Sequence, residues 1–253
     1  MSGISILMYH QVGRFGRVRT HRASYCDVGR FRAQMRALKR LGIPVIGMSQ
    51  AARALRGQVP MPDRAVVPTF DDGCRNFREY ALPILQEYGY PATVYAIAGM
   101  VGGQADWLAE SGHPTPPLMT WRELRDIHRQ GVEIGSHSLN HIRLADRDAA
   151  TQLREMTDSK ACLQDQLGAK VAHVCYPYGA HNQDTLHAAA QAGYDTGVTC
   201  QRGAATPSFD PLALPRKAVS YGDNTLGFLW KLYLKDRTKR PALMRPDWPA
   251  QNG

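Results

Sequence analysis

Two adjacent carboxylates, Asp71 and Asp72, follow the apolar run Val66-Val67-Pro68-Thr69-Phe70 and precede Gly73. Such a run predicts a buried strand over residues 65–70, closed by a glycine turn. Like charges side by side in a partly dry site oppose each other's ionisation. A metal ion, or a proton in transit, would make use of that negative charge. Further along, Ser136-His137-Ser138-Leu139-Asn140-His141 carries two histidines four residues apart, which share one side if the segment turns helically. Zinc-protease helices have this spacing too, but they need Glu directly after the first His, and here Ser138 stands there. Two histidines and one carboxylate make an open three-ligand site, with water in the remaining positions. One aspartate then serves as ligand and the other as general base. For a His pair alone, surface decoration is the competing reading. Its place straight after a strand favours metal.

These residues need elements to hold them. Residues 4–8 form a short apolar strand running into Tyr9-His10. Further strands are predicted over 43–46, 65–70, 92–98, 132–135, 171–176, 196–200 and 213–219. Helical spacing marks 28–41, stopped by Gly42, and 50–55, with Ser49 as cap. It continues over 75–88, 121–129, 146–167, 183–191 and 228–234. Thr120 and Glu123 form a capping-box pattern ahead of the helix at 121–129. Residues 13–25 read as a basic surface loop, and 99–118 as a long loop or lid, whose Trp107 and His113 either contact substrate or simply cover the barrel. Strand and helix alternate as in α/β proteins, and about seven strands suit a single distorted (β/α) barrel. His10, Asp71, Asp72, His137 and Tyr178 all fall at the C-terminal ends of strands, where such a barrel keeps its active site. The barrel is expected over residues 1–240, with a loose Pro-rich tail over 241–253.

The chain has 253 residues, 43% of them hydrophobic, and no apolar stretch of membrane-spanning length. Its 31 Lys and Arg exceed 22 Asp and Glu by nine, which points to an anionic partner without choosing among nucleic acid, phosphorylated substrate and membrane surface. Five dispersed cysteines, with no C-x-x-C pair, fit a reducing compartment better than a disulfide framework. The first ten residues lack the basic flank of a secretory signal. The expected location is therefore cytoplasmic.

Three segments together resemble the polysaccharide deacetylase family, carbohydrate esterase family four. Thr69-Phe70-Asp71-Asp72-Gly73 and His137-Ser138-Leu139-Asn140-His141 look like its first two motifs, and Tyr176-Pro177-Tyr178-Gly179 resembles the third. The similarity runs over roughly residues 4–220. It implies a distorted (β/α) barrel that removes N-acetyl groups from sugars. It also implies that Asp71 is the general base, that Asp72, His137 and His141 hold a divalent metal, and that the Tyr178 N–H assists the oxyanion. The metal expected is Zn, with Co, Ni or Mn as alternatives. Two positions depart from the pattern. Cys175 stands where the family carries a base-orienting Arg, and Leu214-Pro215-Arg216-Lys217 lacks the His of the C-terminal Leu-x-x-His segment. Both gaps fit a permuted branch resembling the poly-N-acetylglucosamine deacetylases and lipid-linked aminosugar deacetylases. In that branch the acid His follows an N-terminal strand, which here is Leu7-Met8-Tyr9-His10. His10 is thus the expected general acid, and Arg216 the expected substitute for the missing arginine.

Trp121 and Tyr178 offer faces for sugar stacking; plain packing is the competing reading. The segment 228–240 mixes aromatic and leucine residues with a basic end, a composition shared by interfacial membrane helices and by last helices packed on a barrel. The expected substrate is an N-acetylhexosamine, GalNAc or GlcNAc, on polyprenyl phosphate. It would serve lipid A or envelope glycan modification, with peripheral contact at the anionic inner face of the cytoplasmic membrane. A poly-N-acetylglucosamine or chito-oligosaccharide is the alternative substrate. A non-catalytic carbohydrate-binding protein is the alternative of another class. Nucleic acid is not an expected partner, because charge alone supports it.

Overall fold

The computed structural model describes residues 3–248. After β1 (Ser5–Tyr9), the short strands β2 (Gln11–Gly13) and β3 (Tyr25–Asp27) pair with each other outside the barrel. α1 (Val28–Arg40) and α2 (Met48–Leu55) precede β4 (Val66–Phe70). Then come α3 (Leu82–Tyr88), β5 (Thr93–Ala96), α4 (Trp121–Arg129) and β6 (Glu133–Ser136). α5 (Ala149–Leu167), β7 (His173–Cys175), α6 (Gln183–Gln191), β8 (Thr196–Arg202), β9 (Leu214–Ala218) and α7 (Thr225–Leu234) complete the chain. Seven strands close a barrel in the order β1-β4-β5-β6-β7-β8-β9, with every ladder parallel.

The alternation of side chains along each strand divides the core in two. Leu7, Tyr9, Val66, Phe70 and Val94 pack with the apolar stripes of the surrounding helices. Ile6, Val67, Tyr95, Cys175, Val198 and Leu214 form a second cluster with Met48, Ala51 and Leu55 of α2. α2 sits at the N-terminal end of the strands, since Ser49 contacts Glu133 and His173, the first residues of β6 and β7. Tyr9, Phe31, Phe70 and Phe77 interlock at ring centroids 4.7–5.9 Å apart and fix β1 and β4 against α1. This packing anchors the ends of the two strands that carry His10, Asp71 and Asp72.

Several expectations need correction. No barrel strand forms over 43–46: Val45 makes only an isolated bridge to Val66, because Pro44 lacks the N–H a ladder needs. α2 begins at Met48 and is capped by Gly47, not by Ser49. The helix expected over 75–88 is broken into a π-turn, Phe77–Ala81, followed by α3. Pro83 has no N–H for the α-helical bond, and the Leu82 N–H reaches back to the Phe77 carbonyl. The tail is not loose over its described part. Arg245 forms an ion pair at 2.9 Å with the fully buried Asp210, and Gln183 donates to the Met244 carbonyl. Residues 249–253 of the expected tail lie outside the described residues.

Candidate active site

Asp71 and Asp72 follow the end of β4 and both line one cleft. The Asp71 N–H donates to the Tyr9 carbonyl at 2.9 Å, and Asp72 and Gly73 both adopt φ 72°. On β6 the His137 N–H continues the ladder to the Ala96 carbonyl. The loop beyond it is folded by its own polar groups: Ser138 Oγ accepts from the His141 N–H at 3.1 Å. The buried Glu155 of α5 accepts from the Leu139 and Asn140 N–H groups, both at 3.0 Å. Four of the six non-glycine residues with positive φ among those described are Asp72, Ser138, His141 and Tyr178. Backbone strain of this kind costs on the order of 1–3 kcal/mol per residue and persists only where surrounding contacts over-determine it. Here it aims side chains into one cleft.

That cleft, about 320 Å³, is lined by His10, Asp71, Asp72, His137, His141 and Tyr178 among others. His137 Nε2 and His141 Nε2 lie 3.4 and 3.5 Å from the same Asp72 oxygen. The three donor atoms fall within 4.8 Å of one another. The Cys175 carbonyl accepts from His137 Nδ1 at 2.8 Å, and the Tyr178 hydroxyl meets His141 Nδ1 at 3.3 Å. Each outer nitrogen is engaged, which turns Nε2 of both rings toward the Asp72 carboxylate. Burial pushes the His141 pKa down to about 4, holding the ring neutral and fit to ligate. Burial disfavours the Asp72 carboxylate, but contacts with His137, His10 and His141 outweigh it and lower its pKa. A buried set of two imidazole nitrogens and one carboxylate oxygen suits a divalent metal.

Asp71 is bound differently. Arg216, fully buried on β9, grips both of its oxygens at 2.7 Å. Burial alone would raise the Asp71 pKa; the guanidinium reverses this and holds the carboxyl well below the usual range. The same guanidinium lies 3.1 Å from Cys175 Sγ, so Arg216 occupies space beside the residue that departs from the family pattern. His10 Nε2 is 3.9 Å from the other side of Asp71, at Oδ2. His10 Nδ1 is buried and has no hydrogen-bond partner among the described residues.

The aromatic residues divide between core and cleft. Trp121 stands at the first turn of α4 and packs against the hydrophobic core, outside the cleft. Its position follows from the capping box, in which the Thr120 hydroxyl and Glu123 satisfy the helix start. Trp107 lines the cleft instead, with its ring centroid 4.2 Å from that of His141. It is carried by the lid loop, which folds back through bonds such as Ala105 N–H to the Pro116 carbonyl. His113 of the same loop meets the Thr20 hydroxyl at 2.8 Å and the Tyr25 hydroxyl at 3.0 Å, tying the lid to the basic loop. Tyr178 is half exposed at the cleft mouth. Sequence reasoning also missed Glu155, whose only signal is an acid on the inward side of an amphipathic helix.

The polysaccharide deacetylase family model matches residues 58–197, just over half of the chain. The chain belongs to the polysaccharide deacetylase family. Members of this family are hydrolytic N-deacetylases that depend on a divalent metal. The matched span includes Asp71, Asp72, His137, His141 and Tyr178; His10 and Arg216 lie outside it. YxkH of Bacillus subtilis is 29% identical over 219 residues, covering 87% of this chain and 72% of that protein. The poly-β-1,6-N-acetyl-D-glucosamine N-deacetylase of Staphylococcus aureus is 28% identical over 168 residues, 63% of this chain and 56% of the staphylococcal protein. Among solved deacetylase structures, PplD of Streptococcus pyogenes in complex with acetate superposes with a TM-score of 0.77 at 28% identity, covering 91% of this chain and 98% of PplD. IcaB from Ammonifex degensii shares the fold, with a TM-score of 0.79 at 22% identity and coverage of 92% and 98%. The seven-stranded barrel is thus the deacetylase barrel. Among the described residues, no helix is long and apolar enough to cross a membrane.

Proposed function

We propose that the protein hydrolyses the acetamide of an N-acetylhexosamine, and that a poly-N-acetylglucosamine or chito-oligosaccharide carries that sugar. One observation carries the reading. A carboxylate gripped by Arg216, a two-His-one-Asp donor set and His10 all open into a single cleft. The staphylococcal relative is named for a polymer of N-acetylglucosamine, which favours such a glycan.

In this mechanism Asp72, His137 and His141 hold the metal. When bound, the metal polarises the acetyl carbonyl and lowers the pKa of water. Zinc would suit this donor set, because two imidazole nitrogens and one carboxylate oxygen are ligands it commonly takes with a position left open for water. Asp71 accepts the proton of the attacking water, and Arg216 keeps it ionised and oriented. The Tyr178 N–H donates to the carbonyl oxygen as charge develops on it. Protonated His10 delivers a proton to the leaving nitrogen, so the C–N bond breaks to a free amine and acetate.

Acetate release from β-1,6-linked N-acetylglucosamine oligomers and from chito-oligomers, with zinc supplied, tests the reading. Loss of release in Asp71→Asn supports it. Glycan binding without acetate release by the wild type would leave a carbohydrate-binding protein. A second reading, an N-acetylhexosamine on polyprenyl phosphate destined for lipid A or envelope glycans, draws support from α7. Leu226, Trp230 and Leu234 are exposed there at i, i+4 and i+8, ahead of a basic segment, a pattern suited to peripheral contact with an anionic inner leaflet. Acetyl loss from the lipid-linked sugar would support it, and activity confined to free oligomers would exclude it.

A further inference from the structure

A second cavity, about 770 Å³, adjoins the cleft. Cys200 lines both, and the rim between them is the turn Tyr178-Gly179. Gly179 makes this approach possible: at φ 66° it brings the turn so close that a Cβ would lie 2.7 Å from that of Cys200. No aspartate or glutamate lines the second cavity among the described residues, while Arg202, Lys217, Lys231, Lys235, Lys239 and Arg240 do. Lys217 is paired with Asp236 and Lys231 with Asp223. Among the described residues, Arg202, Lys235, Lys239 and Arg240 form no ion pair, although Lys235 Nζ rests 3.8 Å over the Trp230 ring.

The walls are held in place. Gln201 donates to the Arg240 carbonyl, Arg202 to the Arg237 carbonyl, and the Ala204 N–H to the Asp236 carbonyl. The buried Asp210–Arg245 ion pair fixes the chain beyond Arg240. Uncompensated cations in one concave site repel each other unless an anion joins them. Four such groups, two of them guanidinium forks, suit an anion with several charges and many oxygens. A single carboxylate would neutralise only a quarter of them.

We propose that this cavity binds the phosphate or diphosphate group on which the substrate's amino sugar is carried, while the acetamide enters the neighbouring cleft. The proposal rests on the deacetylase reading, with a phosphate-linked N-acetyl sugar as substrate in place of a neutral oligomer. The apolar wall of Trp230 and Leu243 would receive the start of whatever the phosphate is attached to, a lipid or a nucleoside.

The test uses the full chain stripped of metal, so that phosphate cannot bind through the metal. Calorimetric titration at low salt compares the neutral methyl glycoside of N-acetylglucosamine with inorganic diphosphate, UDP-N-acetylglucosamine and farnesyl-diphosphate-linked N-acetylglucosamine. The phosphorylated probes should bind at least about tenfold tighter than the glycoside and lose affinity with added salt. The double variant Lys235→Glu/Lys239→Glu should lose about tenfold for diphosphate. Arg240→Gln, a milder change, should lose affinity in the same direction. Equal affinities for neutral and phosphorylated probes, or unchanged diphosphate binding in both variants, overturns the proposal. Tighter binding of the farnesyl probe identifies a lipid carrier, and of UDP-N-acetylglucosamine a nucleotide carrier. Acetate release by the zinc-loaded enzyme is read separately. Tight diphosphate binding with no acetate from any sugar overturns the deacetylase reading and leaves the anion site. Acetate from neutral oligomers without diphosphate binding does the reverse.

Discussion

Arg216 and Asp71 lie 145 positions apart in the chain, yet they meet as a two-pronged pair with both contacts at 2.7 Å. The pair joins the end of β4 to β9, the two strands that flank β1 in the barrel. It explains how a fully buried carboxylate stays ionised beside a second one. A carboxylate held far below neutrality is a weak base in water, so its use depends on geometry and on the acidity of the attacking water.

Removing Arg216 should therefore disturb both stability and pH dependence. Arg216→Ala leaves Asp71 buried without its guanidinium partner, at a cost of about 3–5 kcal/mol. With burial unopposed, the Asp71 pKa rises, so the acid limb of kcat/KM moves to higher pH. Arg216→Lys should recover little, because an ammonium cannot grip both oxygens in plane. An acid limb that stays put in Arg216→Ala would separate Arg216 from the base.

Metal content tests the donor set directly. Asp72→Ala, His137→Ala and His141→Ala should each lose zinc affinity by at least about tenfold, read by elemental analysis after dialysis. Chelation of the wild type should abolish acetate release, and added zinc should restore it. Full zinc occupancy in all three variants would place the metal elsewhere.

His10 should matter most where the leaving group is basic. His10→Asn should lower kcat on an N-acetyl sugar by about 10²–10⁴. It should slow an activated aryl acetate far less, because a phenolate leaves without a proton. Equal losses on the two substrates would contradict a proton-donor role.

The two tryptophans should part company. Trp107→Ala should raise KM for the sugar with little change in the melting temperature, since Trp107 faces the cleft beside His141. Trp121→Ala should leave KM near wild type and destabilise the fold by about 1–3 kcal/mol, since Trp121 packs at the start of α4. The opposite pattern would return the sugar-stacking role to Trp121.

The C-terminal segment should behave as part of the fold. Arg245→Ala strands the fully buried Asp210 carboxylate and should destabilise the protein by about 3 kcal/mol or more in chemical denaturation. A loss within 0.5 kcal/mol would mean that the segment is dispensable.

The sequence by itself determined the parts whose signals are local. A buried strand followed by two acids, a His pair after another strand, and a Tyr-Pro-Tyr-Gly turn are each written within about ten consecutive residues. The alternation of strands and helices supplied the barrel, because period and chain direction are local properties too. It also led to Arg216, but only through a gap at Cys175. Closure of the barrel decided the rest. It brought Arg216 of β9 to Asp71 of β4, folded the lid so that Trp107 rather than Trp121 reached His141, and set Glu155 of α5 under the His137–His141 loop. It also gathered cations from β8, β9, α7 and the following segment around a cavity that no linear stretch encodes. Side chains that meet across a barrel leave no periodic trace in the chain. Their encounter depends on the register of seven paired strands and on where loops of many residues turn back, and those are settled only by the packing of the whole.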